Sequence, residues 1–411
     1  MHPPIPTDDA AGESVANDTR HGTTRRDVLK YAAGGAVAFG LAGGATLGRP
    51  ERSSAVTATR HIALWVNEGF QTMIDGTQIY AWAFSDTPNG FGTRRGKVPP
   101  EDPFPDHVSF FPAATLHAVE DEEIHIEVTN LLDEDHSFVI EDRVANRDIV
   151  NSRSIGPGQT WTGTFTAPPA GTYIYQDTLQ RPLNRVMGLH GMFVVMPPQP
   201  VVSILGTPMM AYSTGDPVLF ERQWVWELHG VDPVWHELAS AGFFRVADFP
   251  PFVGRYFTIN NRSGFMAFAS KEAKEDTKPH GHMREPRESG QLIRLANVGL
   301  NVHGAHFHGN HVRVVAAGAR VLNTRGEDIT IPGNELFIDH VMERDMVLME
   351  PLHHKDVILP FEQPRDIATP ARSLVHGTAF DYPMHSHAEM SQTAAGGLYP
   401  NGMLTDWELE I

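Results

Sequence analysis

Histidines crowd into one short stretch of this 411-residue chain, the run His303-Gly304-Ala305-His306-Phe307-His308-Gly309-Asn310-His311. The whole chain holds 22 histidines, so a stretch of this length would carry less than one by chance, and it carries four. A second pair, His385 and His387, flanks Ser386 further along. Neutral imidazole is a ligand for copper, zinc, iron or nickel, so the two clusters indicate metal chemistry.

The spacing of the two His-x-His pairs predicts how they are presented. Side chains two residues apart in a β-strand point to the same face. We therefore expect His306 and His308 on one strand and the pair His385 and His387 on a neighbouring strand, with four imidazoles directed at one point. His303 has the opposite parity and joins them only if the chain bends at the following glycine. The alternative is a set of hydrogen-bonded histidines without a metal, but clustering of this kind favours a metal site.

The composition excludes several other chemistries. The chain has no cysteine, which rules out disulfides, thiolate nucleophiles and a blue-copper centre, because that centre needs a cysteine sulfur. The balance of 32 Lys+Arg against 50 Asp+Glu gives a net charge of −18. Such a surface repels phosphate backbones, so we expect no nucleic-acid partner.

The first 58 residues read as a leader. Arg25 and Arg26 precede a Gly/Ala-rich apolar run, Tyr31–Leu47, and this order resembles a twin-arginine export signal. A membrane anchor is the alternative, but the run is shorter than the roughly 20 residues that a span needs. No later segment is long and apolar enough, so we expect a mature chain without a membrane span, located in the periplasm or outside the cell.

From about residue 60 the pattern is one of short strands and turns. Ile124, Ile126 and Val128 alternate with polar residues, as in a half-buried strand. The many strands, punctuated by Gly and Pro, predict two β-sandwich domains, 60–198 and 215–411, the second carrying the histidine clusters. Between the strands we expect a linker at 199–215, a short helix at Pro233–Ala241 and a loop at Ala269–Gly290.

These motifs resemble those of the multicopper oxidase family. His303–His308 is similar to the family's ligand motif H-x-x-H-x-H, and His385–His387 stands where the family has H-C-H. Tyr256–Asn260 resembles a strand that opens a cupredoxin domain, and Ala167–Tyr175 the stretch that ends the first domain. The likeness covers roughly residues 110–411. It implies an all-β fold of two Greek-key cupredoxin-like sandwiches, with copper as the cofactor.

The departures from the family's pattern are equally informative. Ser386 replaces the blue-copper cysteine, and the later His and Met ligands are missing, so His303 matches a type 1 ligand that has lost its thiolate partner. The first domain offers His136 alone of the four histidines the resemblance implies there, and Tyr175–Asp177 stands where its second pair belongs. Four histidines match the second domain's share of the trinuclear copper cluster: His306, His308, His385 and His387. A complete laccase-type cluster is therefore not expected.

Three hypotheses about function follow. The first is a copper-dependent oxidoreductase with a His-only site, type 2-like or partly trinuclear, that takes oxygen or a small-molecule substrate. The second is a non-catalytic copper-binding or metal-handling protein, and the third a metal-free structural relative.

Members of the multicopper oxidase family often form trimers with sites between subunits. The resemblance therefore implies that a homotrimer would bring His136 beside the main cluster. The alternative for His136 is a hydrogen-bonded surface histidine.

Overall fold

The computed structural model describes residues 59–89, 91, 113–142, 147–198, 209–213, 218–269, 277–282, 290–318, 337–360, 374–376 and 379–410. The predicted leader, 1–58, lies outside these residues. The described chain is dominated by strands, and the fold is the all-β, two-sandwich cupredoxin arrangement that the sequence predicts. Among the helices described, none is long and apolar enough to cross a membrane.

In the described residues, nine strands build the first sandwich. They are β1 (Thr59–Thr72), β2 (Gln78–Ser85), β3 (Leu116–Val119), β4 (Glu123–Asn130), β5 (Val139–Asp142), β6 (Arg147–Asn151), β7 (Thr160–Thr166), β8 (Gly171–Gln176) and β9 (His190–Met196). The outer sheet has the order β2-β1-β4-β7 and the inner sheet the order β3-β9-β8-β5-β6. The parallel pairs β1 with β4 and β3 with β9 show that the chain crosses between sheets instead of running as a simple meander.

Thirteen strands build the part of the second sandwich that the structure describes. They are β10 (Met209–Met210), β11 (Leu219–Val231), β12 (Tyr256–Ile259), β13 (His280–His282), β14 (Gly290–Asn297), β15 (His303–Phe307), β16 (Val312–Gly318), β17 (Phe337–Arg344), β18 (Met346–Met349), β19 (His354–Leu359), β20 (Leu374–His376), β21 (Ala379–Ser386) and β22 (Leu404–Glu410). The inner sheet has the order β10-β11-β14-β19-β16-β17, with β12 on β11. The outer sheet has the order β13-β22-β21-β15-β18, with β20 on β21.

Of the four hydrophobic clusters in the described residues, three lie between the four sheets and hold them in layers. One fills the first sandwich, around Trp82 and Phe193, and one fills the second, around Trp226 and Trp407. The third lies between the two inner sheets. Strands β8, β9 and β14 are buried along their whole length because both of their faces are covered.

Local sequence explains several of these elements. The alternation predicted around Ile124 is the alternation of β4, whose Ile124, Ile126 and Val128 enter the core while the residues between them are at least partly exposed. The predicted helix is Pro233–Ser240, capped by the Asp232 carboxylate, which accepts a hydrogen bond from the Val234 backbone N–H. The segment expected to be a loop, Ala269–Gly290, contains the three-residue strand β13, which pairs with β22. The remaining helices are Leu183–Val186 and the 3-10 turns Val246–Asp248, Gly264–Ala267 and Glu389–Gln392.

Candidate metal centre

Two adjacent strands of the outer sheet carry the histidine pairs. Strand β15 runs antiparallel to β21, and the Cα of His306 lies directly opposite that of His385. On β15, the neighbours Ala305 and Phe307 enter the core with 1% of their surface exposed, so His306 between them faces away from it. The pairing continues past β21, since the backbone N–H of His387 donates to the carbonyl of Gly304 over 2.7 Å.

The structure brings the imidazoles of the two pairs together. Donor nitrogens of His306, His308 and His385 all lie within 4.8 Å of one another, and in the part of the chain that the structure describes no other group of His, Asp or Glu does so. The closest approach joins Nε2 of His308 and Nε2 of His385 at 3.0 Å. The ring of His387 lies beside them, with its centroid 5.2 Å from that of His306. All four predicted side chains therefore share one face of the sheet.

The environment lowers the pKa of two of these rings and orients a third. Burial, together with the three neighbouring imidazoles, lowers the pKa of His308 to about 4, and burial with the neighbouring imidazoles also lowers that of His306. Nδ1 of His385 lies 3.0 Å from the carbonyl oxygen of Ser386. With Nδ1–H donating to that oxygen, the lone pair of the ring is on Nε2, which faces His308. For His306, Nε2 lies 3.9 Å from the Asp345 carboxylate, while Nδ1 is buried without a hydrogen-bond partner.

His303 does not join this group. Its ring points into the core, where Nδ1 lies 3.3 Å from the hydroxyl of Ser391. That hydroxyl lies 3.0 Å from the hydroxyl of Ser386, the residue at the position of the family's cysteine. Burial lowers the pKa of His303 to about 4. The three side chains form a neutral hydrogen-bonded network where the resemblance places a thiolate copper site.

His136 lies in the first sandwich and is also outside the group. Its ring is 1% exposed, and Nδ1 lies 2.7 Å from the carboxylate of Asp177. The same carboxylate accepts hydrogen bonds from Ser137 and from Asn184. Tyr175–Asp177 replaces the family's second His pair in this domain, and its Asp177 thus supplies the carboxylate that binds His136.

Sequence reasoning missed a second buried histidine cluster, which lies between the two inner sheets. His190 on β9 is fully buried, and its Nδ1 lies 3.2 Å from the carboxylate of Glu227 on β11. The ring of His229 packs edge-on against that of His190, with centroids 5.0 Å apart. Strand β11 is buried along a contiguous stretch, so it has no alternation of buried and exposed positions. The sequence pattern therefore could not predict that Glu227 and His229 lie together in a buried cluster.

Comparisons with known proteins agree with this fold. Residues 109–200 match the family model of multicopper oxidases. No curated protein sequence matches the chain.

Solved structures resemble it along most of its length. A blue copper oxidase from Nitrosomonas europaea is 20% identical, with a TM-score of 0.54, and 86% of each chain is covered. The multicopper oxidase mgLAC is 18% identical, with a TM-score of 0.55 and the same coverage of 86% on both sides. A copper-containing nitrite reductase from Thermus scotoductus SA-01 is 15% identical, with a TM-score of 0.50, covering 86% of this chain and 62% of that one. The chain thus carries the fold of the multicopper oxidases, and the resemblance to that family that its motifs predict is confirmed.

Proposed function

We propose that this protein is an exported, copper-dependent oxidoreductase of multicopper oxidase type, with a copper centre made of histidines alone. The ligands are His306, His308, His385 and His387. The observation that carries the proposal is the convergence of three imidazole donors, from two separate chain segments, within 4.8 Å on a half-exposed sheet face.

The donor set suits copper. Imidazole is among the ligands that copper prefers. Nε2 of His308 and Nε2 of His385 lie 3.0 Å apart, so a single ion at about 2.0–2.1 Å from each would contact both nitrogens.

The chain's own residues prepare the site in two ways. The lowered pKa of His308 and of His306 leaves their lone pairs free of protons at neutral pH, so metal binding displaces none there. The carbonyl of Ser386 orients the ring of His385, and the carboxylate of Asp345 lies 3.9 Å from Nε2 of His306. When bound, copper would supply one-electron redox chemistry and an open coordination position for oxygen or a small substrate.

Electrons have to reach this centre without a blue-copper relay. Ser386 and Ser391 occupy its place and are hydrogen-bonded to each other, and neither is a copper ligand of the thiolate kind. We therefore propose direct electron transfer from the substrate or from a partner at the exposed face. The same hydrogen-bonded pair of serines also supports the second candidate function, a copper-binding protein without catalytic turnover.

Export and assembly complete the proposal. The paired arginines, Arg25 and Arg26, support passage through the twin-arginine route to the periplasm or the exterior. A homotrimer would place another subunit over the half-exposed histidine face. His136 is buried against Asp177, so it would reach a neighbour's site only if that pair opened.

The proposal is tested by metal analysis and electron paramagnetic resonance on the full chain after native purification. We expect stoichiometric copper with an axial, nitrogen-coordinated Cu(II) signal and no intense blue absorption. The double substitution His308→Ala and His385→Ala removes two donors and is expected to abolish stoichiometric copper.

The matched control is His125→Gln, a partly exposed histidine on the outer sheet of the first sandwich. It is expected to retain wild-type copper. Retention of copper by the double variant would show that the site lies elsewhere, and a chain without any bound metal would favour the metal-free relative. Oxygen consumption with small reductants separates the oxidoreductase from the non-catalytic copper protein.

A further inference from the structure

A methionine lies against the histidine face. Strand β18 pairs with β15 on the side opposite β21, and the Cα of Met346 lies directly across from that of His306. The backbone N–H of Phe307 donates to the Asp345 carbonyl over 2.8 Å, so the next pair, His306 with Met346, is the non-hydrogen-bonded kind, in which side chains approach most closely. Met346 is 37% exposed and shares the outward face with the rings.

Gly304 makes room for the methionine side chain. A Cβ placed on Gly304 would lie 3.0 Å from Sδ of Met346 and 3.4 Å from Cβ of His387. The thioether sulfur and the base of the His387 side chain therefore border the same small space above the glycine. The Met346 side chain therefore extends over Gly304 of β15, on the face that carries the histidine rings.

We infer that the Met346 thioether is a further donor of this centre and makes it a site for monovalent copper as well as for Cu(II). The inference rests on the proposed function, since it assumes copper at His306, His308 and His385. Thioether sulfur is a soft ligand that selects Cu(I), whereas imidazole binds both oxidation states. The unbranched, polarisable methionine side chain reaches a nearby ion by rotation about its own bonds, without backbone movement.

The imidazoles and the Met346 sulfur therefore have different roles on this face of the sheet. The imidazoles hold the ion in either oxidation state, and the sulfur adds affinity to the reduced state alone. Removing the sulfur is therefore expected to weaken Cu(I) and leave Cu(II) nearly unchanged. A purely structural role for Met346 would weaken both ions equally or neither.

The test compares the full chain with Met346→Leu, which keeps the volume and the apolar character of the side chain. Cu(I), supplied without oxygen and in competition with a chromophoric Cu(I) chelator, is expected to bind at least about tenfold more weakly to the variant, a loss of about 1.4 kcal/mol. The Kd for Cu(II) is expected to stay within about threefold of wild type. Copper-edge X-ray absorption of the Cu(I)-loaded wild type is expected to show a sulfur neighbour that the variant lacks.

The matched control is Met390→Leu, which removes an exposed methionine from the 3-10 turn after β21. It is expected to bind both ions as the wild type does. Unchanged Cu(I) affinity in Met346→Leu, equal losses for both ions, or a wild-type spectrum without sulfur each overturns the inference while leaving the copper centre in place. A wild-type chain that binds neither ion overturns the proposed function and this inference with it.

Discussion

At the scale of single residues, burial between the two inner sheets shifts the pKa of three titratable side chains toward their neutral forms. Burial raises the pKa of Glu227 to about 8 and lowers that of His190 to about 3. Burial also lowers the pKa of His229 well below its ordinary value. These groups lie at the contact between the inner sheets, where a charge would have little solvent to stabilise it.

Glu227 therefore makes stability depend on pH. The unfolded chain loses this proton near pH 4.5, whereas the folded chain keeps it to about pH 8, so stability falls as pH rises through this window. Glu227→Gln removes the effect. We expect the stability of the wild type relative to the variant to decline from pH 5 to pH 8, by at most about 1.4 kcal/mol per pH unit, in denaturant titrations.

The exposed residue Glu127 offers a control, since Glu127→Gln is expected to leave the pH profile unchanged. A wild-type profile parallel to that of Glu227→Gln would show that this carboxyl ionises normally in the fold. Below pH 6.5 the sign reverses for His190, whose folded form resists protonation, so acid destabilises the protein through that residue.

At the scale of elements, the turn after β15 holds His308 in place. Gly309 has φ of +81°, and a Cβ there would lie 2.4 Å from the ring of Tyr382. That ring stacks on Trp407, whose indole N–H donates to the carbonyl of His308. The turn, the aromatic stack and the proposed ligand His308 are thus one packed unit.

We expect Gly309→Ala to destabilise the protein by about 1–3 kcal/mol and to weaken copper binding, because backbone strain and the clash with Tyr382 act together. Thermal unfolding and copper titration measure the two effects. Gly158→Ala is the matched control, since Gly158 has φ of +68° but nothing within 4 Å of the added carbon. Equal losses in the two variants would mean that the contact with Tyr382 contributes nothing.

Sequence periodicity predicted those structural features that depend only on residues close together in the sequence. The parity that places His306 and His308 on one face, and the alternation of β4, are properties of a single strand. Parity also separates His303 from the group, and the bend that would have joined it did not form. The position of Met346 depends on which strand pairs with β15 and in what register, and β13 is too short for any period to show. Both follow from contacts distant in sequence.

At the scale of the whole molecule, a buried ion pair ties the two sandwiches together. Arg294 on β14 and Asp356 on β19 are joined over 2.7 Å, both at most 1% exposed. Thr172 of β8, in the other sandwich, donates to the Asp356 carboxylate and accepts from the guanidinium of Arg294. The hydroxyl of Tyr212 also donates to this carboxylate.

Asp356→Asn is expected to lower the free energy of unfolding by about 3–5 kcal/mol, because it leaves the buried Arg294 charge without its counter-ion. Chemical denaturation followed by intrinsic tryptophan fluorescence measures the loss. The exposed pair Arg245 with Asp248 is the comparison, and Asp248→Asn is expected to leave the midpoint unchanged. A similar midpoint for both variants would show that the contact between the sandwiches does not depend on this pair.

The histidine face stands outside a core that is already complete without it. Trp226, Phe307 and Trp407 pack beneath the outer sheet, and no imidazole of the proposed ligands belongs to this core. Maturation can therefore run in two stages, the chain first acquiring its shape and then its ion. An apoprotein prepared by chelation should keep its near-ultraviolet circular dichroism and take up the ion again without passing through a denatured form.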